Sequence, residues 1–242
     1  MGWFCRKIKY WFQVELKQPD GKLIIGIEDL LPGDILLYRP SKPKWHQRKI
    51  SQATDSPYTH AAIYVGNGRI AESNVVGGVK RKPINSILKG SAYVAVLRSQ
   101  MGFSHDRPKR LSDFVDAVVK KRRFYDFRGA YNFAESSRGY LEVQLEFINE
   151  NFGKYLAADD LAKKRFICSA FVVACYTAVG LVGDTAQVAY RDEHFSPGHL
   201  STEPTFGWLI GYLVPLRQPL PPAEDPCHGK GVWNDIGGQW WS

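Results

Sequence analysis

Cysteine is scarce in this chain, which has four cysteines among 242 residues and no C-x-x-C pair. The four are Cys5, Cys168, Cys175 and Cys227. So few and so scattered a set excludes a disulfide framework and gives no sign of a structural zinc site. Stability must therefore come from an ordinary apolar core, and an apolar content of 44% is enough to build one.

Long apolar runs are also missing. No stretch approaches the ~18 residues that span a bilayer. The opening segment, "MGWFCRKIKYWFQVELK", is basic and aromatic. It lacks the uninterrupted apolar region and the small-residue cleavage site of a secretory signal. These features predict a cytoplasmic location, with export by another route or a peripheral position at a membrane as alternatives.

Acidic residues are outnumbered, 24 against 32 Lys and Arg, which gives a formal charge of +8. Basic residues cluster in "YRPSKPKWHQRK", residues 38–49. Such a surface favours contact with an anionic membrane surface or polymer, and a solvated basic loop is the alternative. No helix-turn-helix, RNP or zinc-finger spacing is present, so no specific nucleic-acid partner is expected.

Strand patterns come first along the chain and helix patterns later, an order that predicts an α+β fold. Turn residues and β-prone runs predict a hairpin within residues 1–28 and strands over residues 35–38, 61–65, 69–73 and 91–99. A polar, basic loop of about twenty residues follows the first of these strands. Apolar periodicity predicts helices from Leu111 onward, within residues 141–156, after Cys168 and over residues 206–213.

Cys168 lies in "KRFICSAFVVACYTAVG", at the start of a predicted helix that is apolar on nearly all sides. A helix N-terminus lowers the pKa of a thiol, and its free N–H groups can hold an oxyanion. Ser169 and Ala170 leave room around the sulfur. The pattern is compatible with a nucleophile, and an inert core cysteine is the alternative. Cys175, nearly two turns later, is expected to be such a core residue.

A thiol nucleophile needs a base, usually histidine, and an orienting partner. Of the six histidines, only His60 stands at the head of a predicted buried strand. Glu72 is the one acidic residue in the hairpin that follows. A strict two-residue turn at Asn67-Gly68 would place Glu72 and His60 on opposite faces. A three-residue loop, or an equivalent bulged register, would place them on the same face.

Five segments, in this order, resemble a known family: "PGDILLY", "SPYTHAAIYVGNGRIAES", "RFYDFR", "RFICSAFVVACY" and "SPGHL". Their order, with the histidine before the cysteine, is similar to that of the circularly permuted papain-like amidases of the NlpC/P60 superfamily, the YiiX/YebB-type group. Lecithin:retinol acyltransferase-like proteins share that order. The segments span residues 32–200, and the terminal regions and residues 39–49 lie outside the resemblance.

The resemblance implies a permuted papain-like α+β fold, a small antiparallel sheet packed against helices with the nucleophile at the N-terminus of a central buried helix. Together with the turn and proline patterns at the two ends, it divides the chain into an N-terminal arm and hairpin (residues 1–28), a catalytic domain (29–213) and a Pro-rich tail (214–242). It also implies that Cys168 is the nucleophile, His60 its base and Glu72 the residue that orients the imidazole.

Four more side chains are candidates for substrate binding. Tyr58, Tyr125 and Asp126 lie in the matching segments, where Tyr58 would contribute to the pocket or oxyanion hole and Asp126 would brace the site. Gln52, at the mouth of the long basic loop, is a further polar candidate. A structural role for each is the alternative.

The predicted function is a cysteine hydrolase that cleaves an amide bond, in a cell-wall peptide or similar substrate, through a thioester. A lipid acyl hydrolase or acyltransferase and a non-catalytic binding module are the alternatives. The expected partner is a small peptide, amide or acyl-lipid substrate, and neither a metal nor an organic cofactor is expected. The oligomeric state is left open.

Overall fold

A six-stranded antiparallel sheet is the centre of the molecule in the computed structural model, which describes residues 24–74, 77–103, 105–121, 157–164, 166–183 and 195–228. The strands lie in the order β4-β3-β2-β1-β5-β6. Their bounds are β1 Ile35–Pro40, β2 His60–Gly66, β3 Arg69–Asn74, β4 Gly78–Pro83, β5 Ser91–Arg98 and β6 Trp208–Leu213. The sheet and its helices confirm the predicted α+β class.

Helices cover the sheet and connect its strands. In chain order they are α1 Trp45–Thr54, α2 Asn85–Leu88, α3 Arg107–Lys120, α4 Ala158–Leu161, α5 Cys168–Ala178 and α6 Pro197–Thr202. Short 3-10 turns occupy Ile27–Asp29 and Pro204–Phe206. Within the described segments, no helix combines the length and the apolar character that crossing a bilayer requires.

The sheet buries both faces, and the alternation of residues along a strand divides the core in two. Ile35 and Leu37 of β1 belong to the larger cluster, which α3 and α5 cover, whereas Leu36 faces the smaller cluster with α2. All of α5 is buried except Thr177. The apolar character of this helix therefore reflects its central position, as the sequence predicts.

Two element predictions are wrong. The segment predicted as a long basic loop contains α1, a helix with no buried residue. Because it has no apolar stripe, hydrophobic periodicity could not reveal it. Its start is capped by Gln47, which accepts a hydrogen bond from the Lys44 N–H, and Asp55 ends it in a left-handed conformation.

The second wrong prediction is the last helix, since residues 208–213 form strand β6. A short apolar run does not distinguish a buried strand from a buried helix. Pairing with β5 and the positive φ angles of Gly207 and Gly211 favour the extended form here. Strand β4, which the sequence analysis did not assign, is the basic edge strand of the sheet.

The predicted three-part division stays a prediction. Residues 1–23, the helix predicted within residues 141–156 and the end of the tail after residue 228 lie outside the described residues. Ile24 and Ile25, from the segment assigned to the arm, contact Tyr212 of β6. Asp225 and Cys227, from the segment assigned to the tail, are buried against the domain.

Candidate active site

The start of α5 fixes the position of the Cys168 thiol. Ile167 is extended, and the helix begins at Cys168 itself, so the sulfur lies where the first free N–H groups are. Hydrogen bonds hold this point from two sides. Ser73 of β3 donates to the Phe166 carbonyl at 2.7 Å, and Ser169 donates to the Phe195 carbonyl. The nucleophile candidate is therefore held on a rigid element.

The β2–β3 hairpin adopts the register that brings His60 and Glu72 together. Ile63 pairs with Ala71, and an irregularity between Tyr64 and Gly66 precedes the turn. Asn67 and Gly68 both have positive φ angles, 53° and 67°, as a type I′ turn requires. The hairpin thus combines a two-residue turn with a bulge, which confirms the bulged register as the one that allows the pair.

Glu72 is a buried carboxylate with three partners. Its Oε2 lies 2.7 Å from His60 Nε2, while Oε1 accepts hydrogen bonds from Lys82 Nζ and from Asn74 Nδ2. Only 4% of the residue is exposed. Because a buried carboxylate is costly unless it is paired and hydrogen-bonded, these contacts explain how an acidic residue is tolerated in the sheet. The contact engages Nε2 of the His60 ring.

The surroundings of the site favour a negatively charged Cys168 sulfur and a positively charged His60 imidazole. Burial alone would raise the pKa of Cys168, but the His60 charge and hydrogen bond, together with the N–H groups of Ala61 and Ser169, lower it below the ordinary value. Burial likewise opposes the charged form of His60, yet Cys168 and Glu72 raise the pKa of that imidazole to about 10. Burial would raise the pKa of Glu72, but His60 and Lys82 lower it to about 2.

Cys175 shows what burial does without such partners. It lies on the same helix, is fully buried in the larger core cluster, and its pKa is raised by desolvation. The predicted contrast between a core cysteine and Cys168 is therefore present in their surroundings. A thiol with a lowered pKa beside a protonated imidazole can act as a nucleophile at neutral pH.

A cavity of about 260 Å³ opens beside the sulfur. Cys168, His60, Glu72 and Lys82 line one side. Part of α1 lines the other, through His46, Gln47 and Ile50. A small acyl group could therefore reach the sulfur between the sheet and α1.

The other candidate side chains lie elsewhere. The Tyr58 hydroxyl donates to Asp225 at 2.7 Å in the core, so this tyrosine does not face Cys168 as the pocket role would require. Gln52 lines a second, larger cavity instead of the one beside the sulfur. Tyr125 and Asp126 lie outside the described residues.

Sequence reasoning missed Lys82, Asn74 and Thr59. Lys82 and Asn74 bind Glu72, and Thr59 lines the cavity next to His60. The signal for Lys82 was the basic run "KRK" after the hairpin, which forms an edge strand beside the acidic residue. Nothing in the sequence marked Thr59. In the segments that the structure describes, no group of three or more His, Cys, Asp or Glu side chains is placed to hold a metal ion.

Comparisons with known proteins add little. No protein-family model matches the chain, and neither does any curated protein. Among solved structures, it is similar to the crystal structure of the metalloprotein YiiX from Escherichia coli O157:H7. The TM-score is 0.39 and the identity 17%, over 77% of this chain and 89% of that one. At this level neither a shared papain-like fold nor a shared activity is established, and the family assignment stays a prediction.

Proposed function

We propose that this chain is a cysteine-dependent hydrolase that cleaves an amide bond through a thioester on Cys168. One observation carries the proposal: the Cys168 thiol at the start of α5 and the His60 imidazole line the same cavity, and His60 Nε2 lies 2.7 Å from the buried Glu72 carboxylate. Thiol acyl transfer needs a nucleophile, a base beside it and a group that orients the base, and Cys168, His60 and Glu72 can fill these three roles.

In the proposed reaction, the Cys168 thiolate attacks the acyl carbon and the C–N bond then breaks. The His60 imidazolium gives its proton to the leaving amine, and Glu72 keeps the ring oriented. We assign the oxyanion to the Cys168 backbone N–H and a neighbouring donor. Water, deprotonated by the now neutral His60, attacks the thioester and releases the acid.

An ester or lipid acyl group is the second candidate substrate, and one observation favours it. Trp45, the first residue of α1, is 66% exposed, and Lys49 Nζ lies 5.1 Å from the centre of its ring. An exposed tryptophan among basic residues fits an anionic membrane surface. Because α1 also lines the cavity beside Cys168, such contact would bring lipid to the site.

The deciding experiment is to trap the acyl-enzyme. The protein is mixed with activated amide, ester and phospholipid substrates, quenched in acid and digested, and the acylated peptide is identified by mass. We expect an acyl group on Cys168, none in Cys168→Ala, and an unchanged amount in the matched control Cys175→Ala. The substrate that acylates fastest names the class. Hydrolysis that survives in Cys168→Ala would contradict the proposal, and lack of reaction with all three classes would favour a binding module.

A further inference from the structure

Two cavities adjoin the same residue, Thr59. The one beside Cys168 is lined by His46, Gln47 and Ile50 of α1, and a second cavity of about 820 Å³ is lined by Arg48, Ser51 and Gln52 of the same helix. At about 100° per residue these two sets lie on different faces of α1. Helix α1 therefore separates the cavities, and Thr59 lines both.

The Thr59 hydroxyl is a buried polar group without a partner. The residue is 5% exposed, and its Oγ1 makes no hydrogen bond to any residue that the structure describes. Leaving a buried hydroxyl unpaired is unfavourable unless a ligand satisfies it. Its place between the two cavities, one residue before His60, is where a substrate that occupies both would pass.

The second cavity has the chemistry of a site for an anion. Arg39 and Arg48 line it, against a single carboxylate, that of Asp55. Arg39 is held in position, because its Nη1 donates to the Tyr93 hydroxyl at 2.6 Å, and that hydroxyl donates to Asp225. A fixed guanidinium presents its N–H groups in the fork geometry that matches carboxylate and phosphate.

Part of the wall is apolar and comes from the C-terminal segment. Pro219, Leu220 and Pro222 line the second cavity. Since the cavity combines this wall with two arginines, its ligand needs an apolar segment as well as a negative charge.

We propose that the substrate of Cys168 extends past Thr59 into the second cavity, where Arg39 and Arg48 bind an anionic group that it carries. This inference rests on the proposed function, because it takes Cys168 as the group that reacts with the substrate. The shared chemistry is a carboxylate or phosphate on an apolar tail, which a peptide or a lipid headgroup could supply.

The test uses alkylating probes, because they report the second cavity without requiring turnover. Iodoacetamides with alkyl tails of increasing length are prepared in matched sets that end in carboxylate, phosphonate or carboxamide. The rate of Cys168 labelling is followed by mass at low ionic strength. At equal tail length, the labelling rate of the anionic probe is divided by that of the carboxamide probe. This ratio measures how much the charge contributes to binding, because a change in the reactivity of the sulfur affects both rates equally.

We expect the best anionic tail to label Cys168 about tenfold faster than its carboxamide. The ratio should fall towards one in Arg39→Gln/Arg48→Gln and in Arg48→Gln alone, which leaves the Tyr93 contact intact. The matched control Arg69→Gln/Lys89→Gln removes two exposed charges that line neither cavity and should keep the ratio. Faster labelling by the carboxylate tail would indicate a peptide, and faster labelling by the phosphonate tail would indicate a lipid headgroup.

Thr59→Val should slow the carboxamide-tailed probe about fivefold relative to plain iodoacetamide, and Thr59→Ser should restore the rate. Equal rates for charged and neutral tails, or a ratio that survives loss of both arginines, would overturn the anion site. An unchanged rate in Thr59→Val would overturn the path past Thr59. If plain iodoacetamide labels Cys168 no faster than Cys175, the proposed function fails with it, whereas fast but charge-indifferent labelling defeats this inference alone.

Discussion

The Nε2 atom of His60 and the Oε2 atom of Glu72 lie 2.7 Å apart, joined by a hydrogen bond across the β2–β3 hairpin. The contact favours the charged imidazole and, through it, the thiolate of Cys168. Glu72 is therefore expected to act on the thiol without touching it.

Replacing Glu72 with Gln tests whether the carboxylate acts on Cys168 through His60. Loss of the carboxylate should lower the pKa of His60 from about 10, because one of the two groups that raise it is gone. The pKa of Cys168 should rise in turn, so the thiolate should form at a higher pH and Cys168 should be alkylated more slowly at neutral pH. The measurement is the iodoacetamide rate of Cys168 across pH, followed by mass.

The control for this change is Glu28→Gln, which removes an exposed carboxylate near the start of the described chain. Its alkylation profile should overlay that of the unchanged protein. An unshifted profile in Glu72→Gln would mean that the Glu72 carboxylate does not affect the thiol.

The sequence predicted the contact between His60 and Glu72 better than it predicted the elements around them. Asn67 and Gly68 favour a tight turn, and side chains alternate strictly along a strand. A hairpin therefore has only a few possible registers, and the sequence shows which of them bring His60 and Glu72 together. Helix α1 could not be found in the same way. Its side chains bury nothing, and an exposed polar helix leaves no periodic signal.

The sequence shows the basic run that contains Lys82, but it could not show which lysine reaches Glu72. Ile70 is the residue directly opposite Lys82, and Lys80 is opposite Glu72. The bond from Lys82 to Glu72 is therefore diagonal, and long side chains reach diagonal neighbours in ways that pairing alone does not specify.

Lys82→Met should destabilise the fold by about 1 kcal/mol near neutral pH, since Glu72 loses one ionic partner. The lowered pKa of Glu72, about 2, gives stability that is present above its unfolded value and lost as pH falls through 2. The difference between variant and unchanged protein should therefore shrink as pH falls. Urea unfolding at pH 6, 3 and 2 measures it.

Lys89→Met is the matched control, because Lys89 is exposed and is not among the residues that hold the Glu72 carboxylate. We expect it to leave the free energy of unfolding unchanged at each pH. A constant effect of Lys82→Met from pH 6 to pH 2 would show that the lysine contributes packing and not charge.

The proposed hydrolysis should have a broad pH range. The lowered pKa of Cys168 keeps the thiolate present below the free-thiol value, so the acid limb should lie under about 8.5. The pKa of His60, about 10, sets the alkaline limb, because the neutral imidazole cannot protonate the leaving amine. The measurement is kcat/KM against pH with the amide substrate found by trapping. Activity that climbs past pH 10 would contradict the assignment of His60 as the acid.

Asp225 ties the C-terminal segment to the domain. It is 3% exposed. Its carboxylate accepts hydrogen bonds from the hydroxyls of Tyr58, Tyr93 and Tyr212 and from the Cys227 N–H, at 2.6 to 3.0 Å. Four donors on one buried carboxylate explain why Tyr58 is unavailable to the site, since its hydroxyl is already bound.

Asp225→Ala should lower the free energy of unfolding by about 4 kcal/mol, because it strands three buried hydroxyls at about 1 to 3 kcal/mol each, with partial relaxation. Urea unfolding measures this free energy, and replacing the neighbouring exposed residue, Glu224→Ala, should change it by less than about 0.5 kcal/mol.

The same segment lines the second cavity through Leu220. Asp225→Ala should therefore also weaken the preference for anionic probes more than it weakens the reactivity of Cys168. An unchanged free energy of unfolding in Asp225→Ala would instead mean that other contacts, and not the carboxylate, hold the segment.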